Sequence, residues 1–150
     1  MEIREFLNTK AININLESKD KEGIIKELLQ MLFKAGAIKN TDKLFKILMD
    51  RESLGSTGIG QGVGIPHGKT NSVGKLVGAF GISKTGVDFD SLDGETAHIF
   101  FLLIAPEGSA GPHLKALAKI SRLLKDKYLR DRLIKANSSK EVIEILVNEQ

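Results

Sequence analysis

Residues 97–106, AHIFFLLIAP, place the strongest constraint on the fold of this chain. Ile99 to Ala105 are all apolar, and no other purely apolar run in the sequence is as long. A strand that is apolar on both faces belongs inside a sheet that is covered on both sides. The run is far shorter than the about 20 residues that a helix needs to cross a bilayer. It therefore predicts a central, doubly covered strand rather than a membrane span.

Two helices are predicted before this strand. The segment SKDKEGIIKELLQMLFKAG (18–36) has apolar residues at helical spacing, with Ser18 or Asp20 as its N-cap. The segment TDKLFKILMDRES (41–53) repeats the arrangement with Thr41 as its cap. Both segments indicate amphipathic helices that cover a sheet.

Further strands and helices complete the predicted domain. Strands are predicted at GVGIP (62–66) and KLVGAFGIS (75–83), and helices at 112–127, 127–136 and 138–150. Leu114 and Leu117 are among the apolar positions of the first of these helices. The order of elements predicts one α/β domain over residues 1–150, a sandwich in which a mixed β-sheet is flanked by helices on both faces.

The composition excludes several classes of function. There is no cysteine, which excludes disulfides, thiolate nucleophiles and cysteine–zinc sites. A net charge of +3, one tyrosine and no tryptophan argue against nucleic-acid binding. The N-terminal sequence MEIREFLNTK lacks the apolar stretch of a signal peptide. We therefore expect a cytoplasmic protein that does not insert into a membrane.

A glycine-rich segment, residues 55–64, leads into the stretch GVGIPHGKT. The final Gly-Lys-Thr matches the end of a nucleotide-binding loop, but that loop needs a glycine five residues before Gly68, where this chain has Val63. The dinucleotide fingerprint G-x-G-x-x-G fails as well. The match is therefore interpreted as coincidental, with Lys69 and Thr70 as the exit from a turn.

Histidines are the remaining candidates for phosphate chemistry. Pro66 fixes the backbone before His67, and the surrounding glycines leave its ring accessible; a glycine-rich turn without a role is the alternative. His113 begins a predicted helix, where the dipole favours an anion and a neutral ring that donates to it; a solvent-facing ring is the alternative. His98, in the apolar strand, is interpreted as structural. No zinc-ligand spacing and no G-x-S-x-G elbow is present, which disfavours a metal site and a serine hydrolase.

The stretch RESLGSTGIGQGVGIPHG (51–68) resembles the active-site signature of the fructose/mannitol-type enzyme IIA of the bacterial phosphoenolpyruvate-dependent sugar phosphotransferase system. The similarity extends over essentially the whole chain. The matching signature positions are Glu52, Ile59, Gly60, Val63, Ile65, Pro66, His67 and Gly68. The chain departs at Gly64, where relatives usually have alanine.

The resemblance implies a phosphoryl carrier, a phosphotransferase with a phosphohistidine intermediate. His67 matches the histidine that accepts phosphate from the phosphocarrier protein HPr and passes it to a IIB component. His113 matches the second histidine, which stabilises the phosphoryl group, and Arg51 matches an arginine that holds negative charge near the site. Further hydrogen-bond donors to the phosphate are expected at Thr57, Gln61 and the N–H of Gly68.

The resemblance also implies partners and leaves two functions open. HPr and IIB are expected to dock in turn on an apolar rim around His67, through a small interface, and a membrane IIC permease takes part only indirectly. No metal or nucleotide cofactor is implied. The favoured interpretation is sugar uptake in the fructose or mannitol branch. The alternative is a nitrogen-regulatory IIA-type protein that binds and regulates partner proteins according to its phosphorylation state.

Overall fold

A computed structural model describes residues 1–149, and these form a six-stranded sheet with five α-helices. The strands are β1 (Leu7–Asn13), β2 (Gly58–Gly60), β3 (Val63–Gly64), β4 (His67–Thr70), β5 (Val77–Val87) and β6 (Ala97–Pro106). The helices are α1 (Lys21–Lys34), α2 (Thr41–Ser53), α3 (Ala110–Leu124), α4 (Lys127–Ile134) and α5 (Ser139–Asn148). A short 3₁₀ helix, Ile3–Glu5, precedes β1.

The sheet is mixed, and β6 lies inside it as its apolar sequence predicts. The strand order is β1-β5-β6-β3-β2, with β4 pairing with β6 beyond β3. β6 is antiparallel to β5 and parallel to both β3 and β4. The run Ile99 to Ala105 is fully buried, so the predicted central strand is confirmed with its bounds.

Consecutive residues of β6 enter two different cores, one on each face of the sheet. Phe101 packs in a core that α3, α4 and α5 cover, whereas Phe100 packs in a core formed with α1 and α2. Side chains of a strand alternate between the faces of a sheet, so the two helical layers lie on opposite faces. The predicted sandwich with helices on both faces is confirmed.

Several local predictions need correction. β1, β2 and β4 were not predicted as strands, because β1 buries only Leu7 and Ala11 and the other two are short and rich in glycine or polar residues. Asp20 caps α1 as expected, with Gly23 N–H donating to its carboxylate at 2.7 Å. The cap of α2 is Asn40 rather than the predicted Thr41.

The buried face of α3 also differs from the prediction. The helix begins at Ala110, two residues earlier than expected, and its buried side chains are His113, Ala116, Ile120, Leu123 and Leu124. Leu114, which was predicted to belong to the apolar face of this helix, is 67% exposed. His113 therefore lies on the buried face of α3, and the neighbouring Leu114 lies at the surface.

Candidate functional site

A cleft opens at the edge of the sheet beside β4. Within residues 1–149, β4 pairs with β6 on one side and with no strand on the other. Helices α2 and α3, which belong to opposite layers of the sandwich, supply its walls. The lining residues are Ile47, Asp50, Arg51, Ser53, Leu54, His67, Gly68, Lys69, Ala110, His113, Leu114 and Leu117. The cleft thus brings together four of the six site residues expected from the sequence: Arg51, His67, Gly68 and His113.

His67 owes its position to a break in an edge strand. β4 continues β3 in the same register on β6, since Val63 lies opposite Ile99 and His67 lies opposite Leu103. Pro66 has no N–H to donate, but its carbonyl accepts from Leu103 N–H at 3.0 Å. The predicted turn at this point is wrong, because the strand resumes directly after the proline. His67 is the first residue after the break, is half-buried and lines the cleft.

The ring of His67 is held in one tautomer. Its Nδ1 lies 2.8 Å from the carbonyl oxygen of Ile65, and a carbonyl can only accept, so Nδ1 carries the proton and donates it. The neutral ring then has its lone pair on Nε2. Burial lowers the pKa of His67 below 6.5; the bond to Ile65 opposes this, the Arg51 charge lowers the pKa and the Glu52 charge raises it. The net direction favours the neutral ring at pH 7.

His113 lies against His67 and is almost wholly buried. The ring centroids are 5.5 Å apart with an interplanar angle of 73°, an edge-to-face contact. His113 is 5% exposed, and its Nε2 has no hydrogen-bond partner among residues 1–149. A buried polar atom without a partner is costly, so a polar group brought against this nitrogen would relieve that cost. Desolvation, followed by the charges of His67 and Lys69, lowers the pKa of His113 from 6.5 to about 4.

The start of α3 adds backbone donors beside the ring of His113. The first-turn amides of Ala110 and Gly111 have no acceptor within the helix. Pro112 has no N–H, and the amide of His113 donates to the Ser109 carbonyl at 3.0 Å. Ala110 also lines the cleft. The positive end of the helix therefore borders the cleft.

Arg51 supplies a cation from the last turn of α2. Its NH1 donates to the carbonyl of Gly55 at 2.8 Å, which holds the side chain at the cleft wall. The next residue, Glu52, points into the protein, where Lys21 Nζ lies 2.9 Å from its carboxylate. The Thr57 N–H donates to Glu52 Oε1 at 3.1 Å. This buried ion pair fixes the loop after α2 and hence the direction of Arg51.

Thr57 and Gln61, two of the expected donors, do not line the cleft. The Thr57 hydroxyl donates to Glu52 Oε2 and is buried. Gln61 lies in the turn between β2 and β3 with φ 59°, where its N–H donates to Asp93 at 2.8 Å. Its side-chain oxygen accepts from Arg130 at 3.3 Å. Gln61 is close to His67 in the sequence but lies outside the cleft, because the glycine-rich turn places it beside Asp93 and Arg130.

Gly68 lies in β4 opposite Ile104 and lines the cleft. A Cβ on Gly68 would stand 2.9 Å from Ile47 Cγ2 and 3.4 Å from Leu48 Cδ2, so the glycine allows α2 to approach the strand closely. This close packing accounts for the absence of a side chain at position 68, and the role of its N–H as a donor to phosphate stays a prediction.

Lys69 is a cleft residue that the sequence reasoning missed. It lies in β4 opposite Ala105 rather than at the exit of a turn. Residues two apart in a strand share a face, so Lys69 follows His67 on the side of α3. If the strand is continued across Pro66, side chains alternate between the two faces of the sheet, and this alternation predicts that Lys69 lies on the same side as His67.

The remaining histidine has a structural environment. His98 Nδ1 donates to the Ser83 carbonyl at 2.9 Å, and Nε2 lies 3.3 Å from the Thr96 hydroxyl. The interpretation of His98 as a satisfied, structural histidine agrees with these contacts. In residues 1–149 no group of three or more His, Asp or Glu side chains is arranged to hold a metal ion. Over the same range, no helix has the length and apolar character that a membrane crossing requires.

Comparisons with known proteins agree on one family. Residues 5–149 match the family model described as the phosphoenolpyruvate-dependent sugar phosphotransferase system, EIIA 2. The fructose-specific EIIABC component of Bacillus subtilis is 44% identical over 97% of this chain, which spans 23% of that relative's length. A nitrogen regulatory protein of Bradyrhizobium diazoefficiens is 36% identical over 97% of this chain and 95% of that protein.

Solved structures share the fold over almost the whole chain. The crystal structure of the nitrogen regulatory protein IIA-Ntr from Neisseria meningitidis has a TM-score of 0.89 at 35% identity, covering 96% of this chain and 98% of that one. The crystal structure of IIA mannitol from Escherichia coli has a TM-score of 0.78 at 24% identity, covering 93% and 97%. The second likeness concerns the fold alone.

Proposed function

The chain belongs to the EIIA type 2 family of the phosphoenolpyruvate-dependent sugar phosphotransferase system, and on that premise we propose that it carries a phosphoryl group on His67 Nε2. The donor is the phosphorylated carrier HPr and the acceptor is a IIB component of the fructose branch. The observation that carries the proposal is the edge-to-face pair of imidazoles, with ring centroids 5.5 Å apart, in a cleft at the sheet edge.

The transfer needs little besides positioning. The Nε2 lone pair of His67 forms a bond to phosphorus while the bond from phosphorus to the donor's nitrogen breaks, and that electron pair stays on the donor nitrogen. The Nδ1 proton remains in its bond to the Ile65 carbonyl, which stabilises the positive charge that the ring acquires. The same charge makes His67 a good leaving group, so transfer to the next acceptor is the reverse process.

The surroundings of His67 are suited to a group with about two negative charges. His113 Nε2, which has no partner among the described residues, donates to a phosphoryl oxygen if its proton is on that nitrogen. Arg51 and the first-turn amides of α3 add positive charge and donors. No step requires a metal or a nucleotide.

Two exposed leucines border the cleft and suit a docking surface for protein partners. Leu54 after α2 is 84% exposed, and Leu114 in α3 is 67% exposed. They lie on opposite walls, so a partner that covers both places its own phosphorylated or nucleophilic residue over His67. Contacts of this kind are compatible with HPr and IIB docking one after the other.

The experiment is phosphoryl transfer from labelled phosphoenolpyruvate through enzyme I and HPr. Wild type should form an acid-labile, base-stable adduct, and His67→Ala should form none. His98→Gln is the matched control, since it changes a histidine outside the cleft and should label as wild type does. His113→Ala should retain part of the label but pass it on more slowly. Full labelling of His67→Ala would refute the proposal.

A second candidate function rests on different relatives. The nitrogen regulatory protein of Bradyrhizobium diazoefficiens is matched over 95% of its own length, and IIA-Ntr of Neisseria meningitidis gives a TM-score of 0.89. In that case the phosphorylated and free forms would differ in which regulatory partner they bind. Offering the labelled protein to purified IIB domains separates the two: rapid loss of label to a fructose-type IIB supports transport, and retention with all of them supports regulation.

A further inference from the structure

Lys69 brings an unpaired positive charge to the cleft. It lies two residues after His67 in β4 and lines the cleft with it, while Gly68 between them faces Ile47. Among residues 1–149, its ammonium has no acceptor within hydrogen-bond or salt-bridge distance. The lysines of the neighbouring helix differ: Lys43 donates to Asn71 at 3.0 Å, and Lys46 pairs with Asp50 at 3.2 Å.

The other charges around the two histidines are largely compensated. From α2, Asp50 is paired with Lys46, and the buried Glu52 is paired with Lys21 across the loop. The guanidinium of Arg51 is also positively charged, but one of its nitrogens already donates a hydrogen bond to the Gly55 carbonyl. From α3, the neutral ring of His113 is the titratable group. Among residues 1–149, Lys69 is therefore the one cation that β4 contributes to the cleft, and its ammonium is free to pair with an anion that binds there.

We propose that Lys69 is a second cationic anchor, opposite Arg51, for the phosphoryl group carried on His67. This rests on the proposed function and deepens it, because the charge at position 69 then sets how strongly the protein retains phosphate relative to HPr. Lys69 stabilises the phosphorylated form without touching the unphosphorylated ring of His67. The Lys69 charge also contributes, after desolvation and the charge of His67, to the lowered pKa of His113.

The test measures an equilibrium, which is independent of how fast partners dock. Phosphoryl groups distribute between HPr and this protein, and Lys69→Gln should shift that distribution toward HPr by about fivefold, the upper range for a solvent-accessible ion pair. Lys69→Arg should restore most of the wild-type value. Lys75→Gln removes the same charge from an exposed residue outside the cleft and serves as the matched control, with the wild-type distribution.

A second readout does not depend on phosphorylation. NMR titration of the His113 ring in the free protein should give a higher pKa in Lys69→Gln than in wild type, and added salt should reduce the difference. Equal distributions and equal titrations in wild type and Lys69→Gln would overturn the role of Lys69 while leaving the carrier function intact. Failure of wild type itself to take label on His67 would refute the carrier function, and the inference with it.

Discussion

The cost of keeping His113 neutral predicts a specific loss of stability in mild acid. Its pKa is lowered from 6.5 to about 4 in the folded chain, first by desolvation and then by the charges of His67 and Lys69. Between these two values the unfolded chain binds a proton that the folded chain does not, so the free energy of unfolding falls as pH decreases. The free energy of unfolding is unaffected by the titration of His113 above pH 6.5 and falls progressively as the pH is lowered from 6.5 toward 4.

The magnitude follows from the two pKa values. At pH 5 the unfolded state gains about 2 kcal/mol from protonation of this one histidine, and the limiting value below pH 4 is about 3 kcal/mol. His113→Gln keeps a polar side chain of similar size but cannot titrate. The drop in unfolding free energy between pH 7.5 and pH 5.0 should therefore be about 2 kcal/mol smaller in His113→Gln than in wild type.

Urea denaturation at the two pH values measures this difference of differences. Any change in absolute stability caused by the substitution cancels, because each protein is compared with itself. The ordinary pKa of the Asp93 and Asp131 carboxyls, 3.8, is lowered further in the folded chain, so both groups change little in charge between pH 7.5 and pH 5.0. If wild type and His113→Gln lost the same free energy within about 0.5 kcal/mol, the buried and neutral state of His113 would be refuted.

Three further predictions test the scaffold and the nucleophile. Lys21→Met leaves the buried Glu52 carboxylate without its cation and should lower the free energy of unfolding by about 3 kcal/mol in urea denaturation; an effect below about 1 kcal/mol would contradict a buried pair. Gly68→Ala places a Cβ 2.9 Å from a side chain of α2 and should cost about 1–3 kcal/mol, whereas Gly111→Ala, with nothing within 4 Å, should not destabilise the protein. The rate at which His67 accepts phosphate should be constant above neutral pH and fall with a midpoint below 6.5, because its pKa is lowered mainly by burial; a midpoint above 7 would argue against this environment.

The layered fold was predictable because its strongest signals are local. The apolar run of β6 requires cover on both faces, and the amphipathic segments on either side supply it. Short edge strands carry no such signal. β4 has only four residues and begins after a proline, so its sequence resembles a turn even though it keeps its register on β6.

The site was predictable only where the residue type carried the information. His67 and His113 stood out because a proline, glycines and a helix start surround them, although only the fold could show that their rings meet. Lys69 was missed because it depends on the alternation of an unpredicted strand. Thr57 and Gln61 do not line the cleft. The Thr57 hydroxyl bonds to Glu52, five residues earlier in the chain, and the Gln61 side chain contacts Arg130, a tertiary partner that the sequence does not reveal.

The proposed phosphorylation of His67 would change how the two imidazoles interact. In the free protein the positive form of either ring is disfavoured by burial, and the charge of His67 lowers the pKa of His113 further. A phosphoryl group on His67 would place about two negative charges beside the unpaired Nε2 of His113. A hydrogen bond from His113 Nε2 to that group would then form only in the phosphorylated state. Burying His113 Nε2 without a partner costs stability in the free protein, and under the proposed function a phosphoryl group bound in the cleft would offset part of that cost.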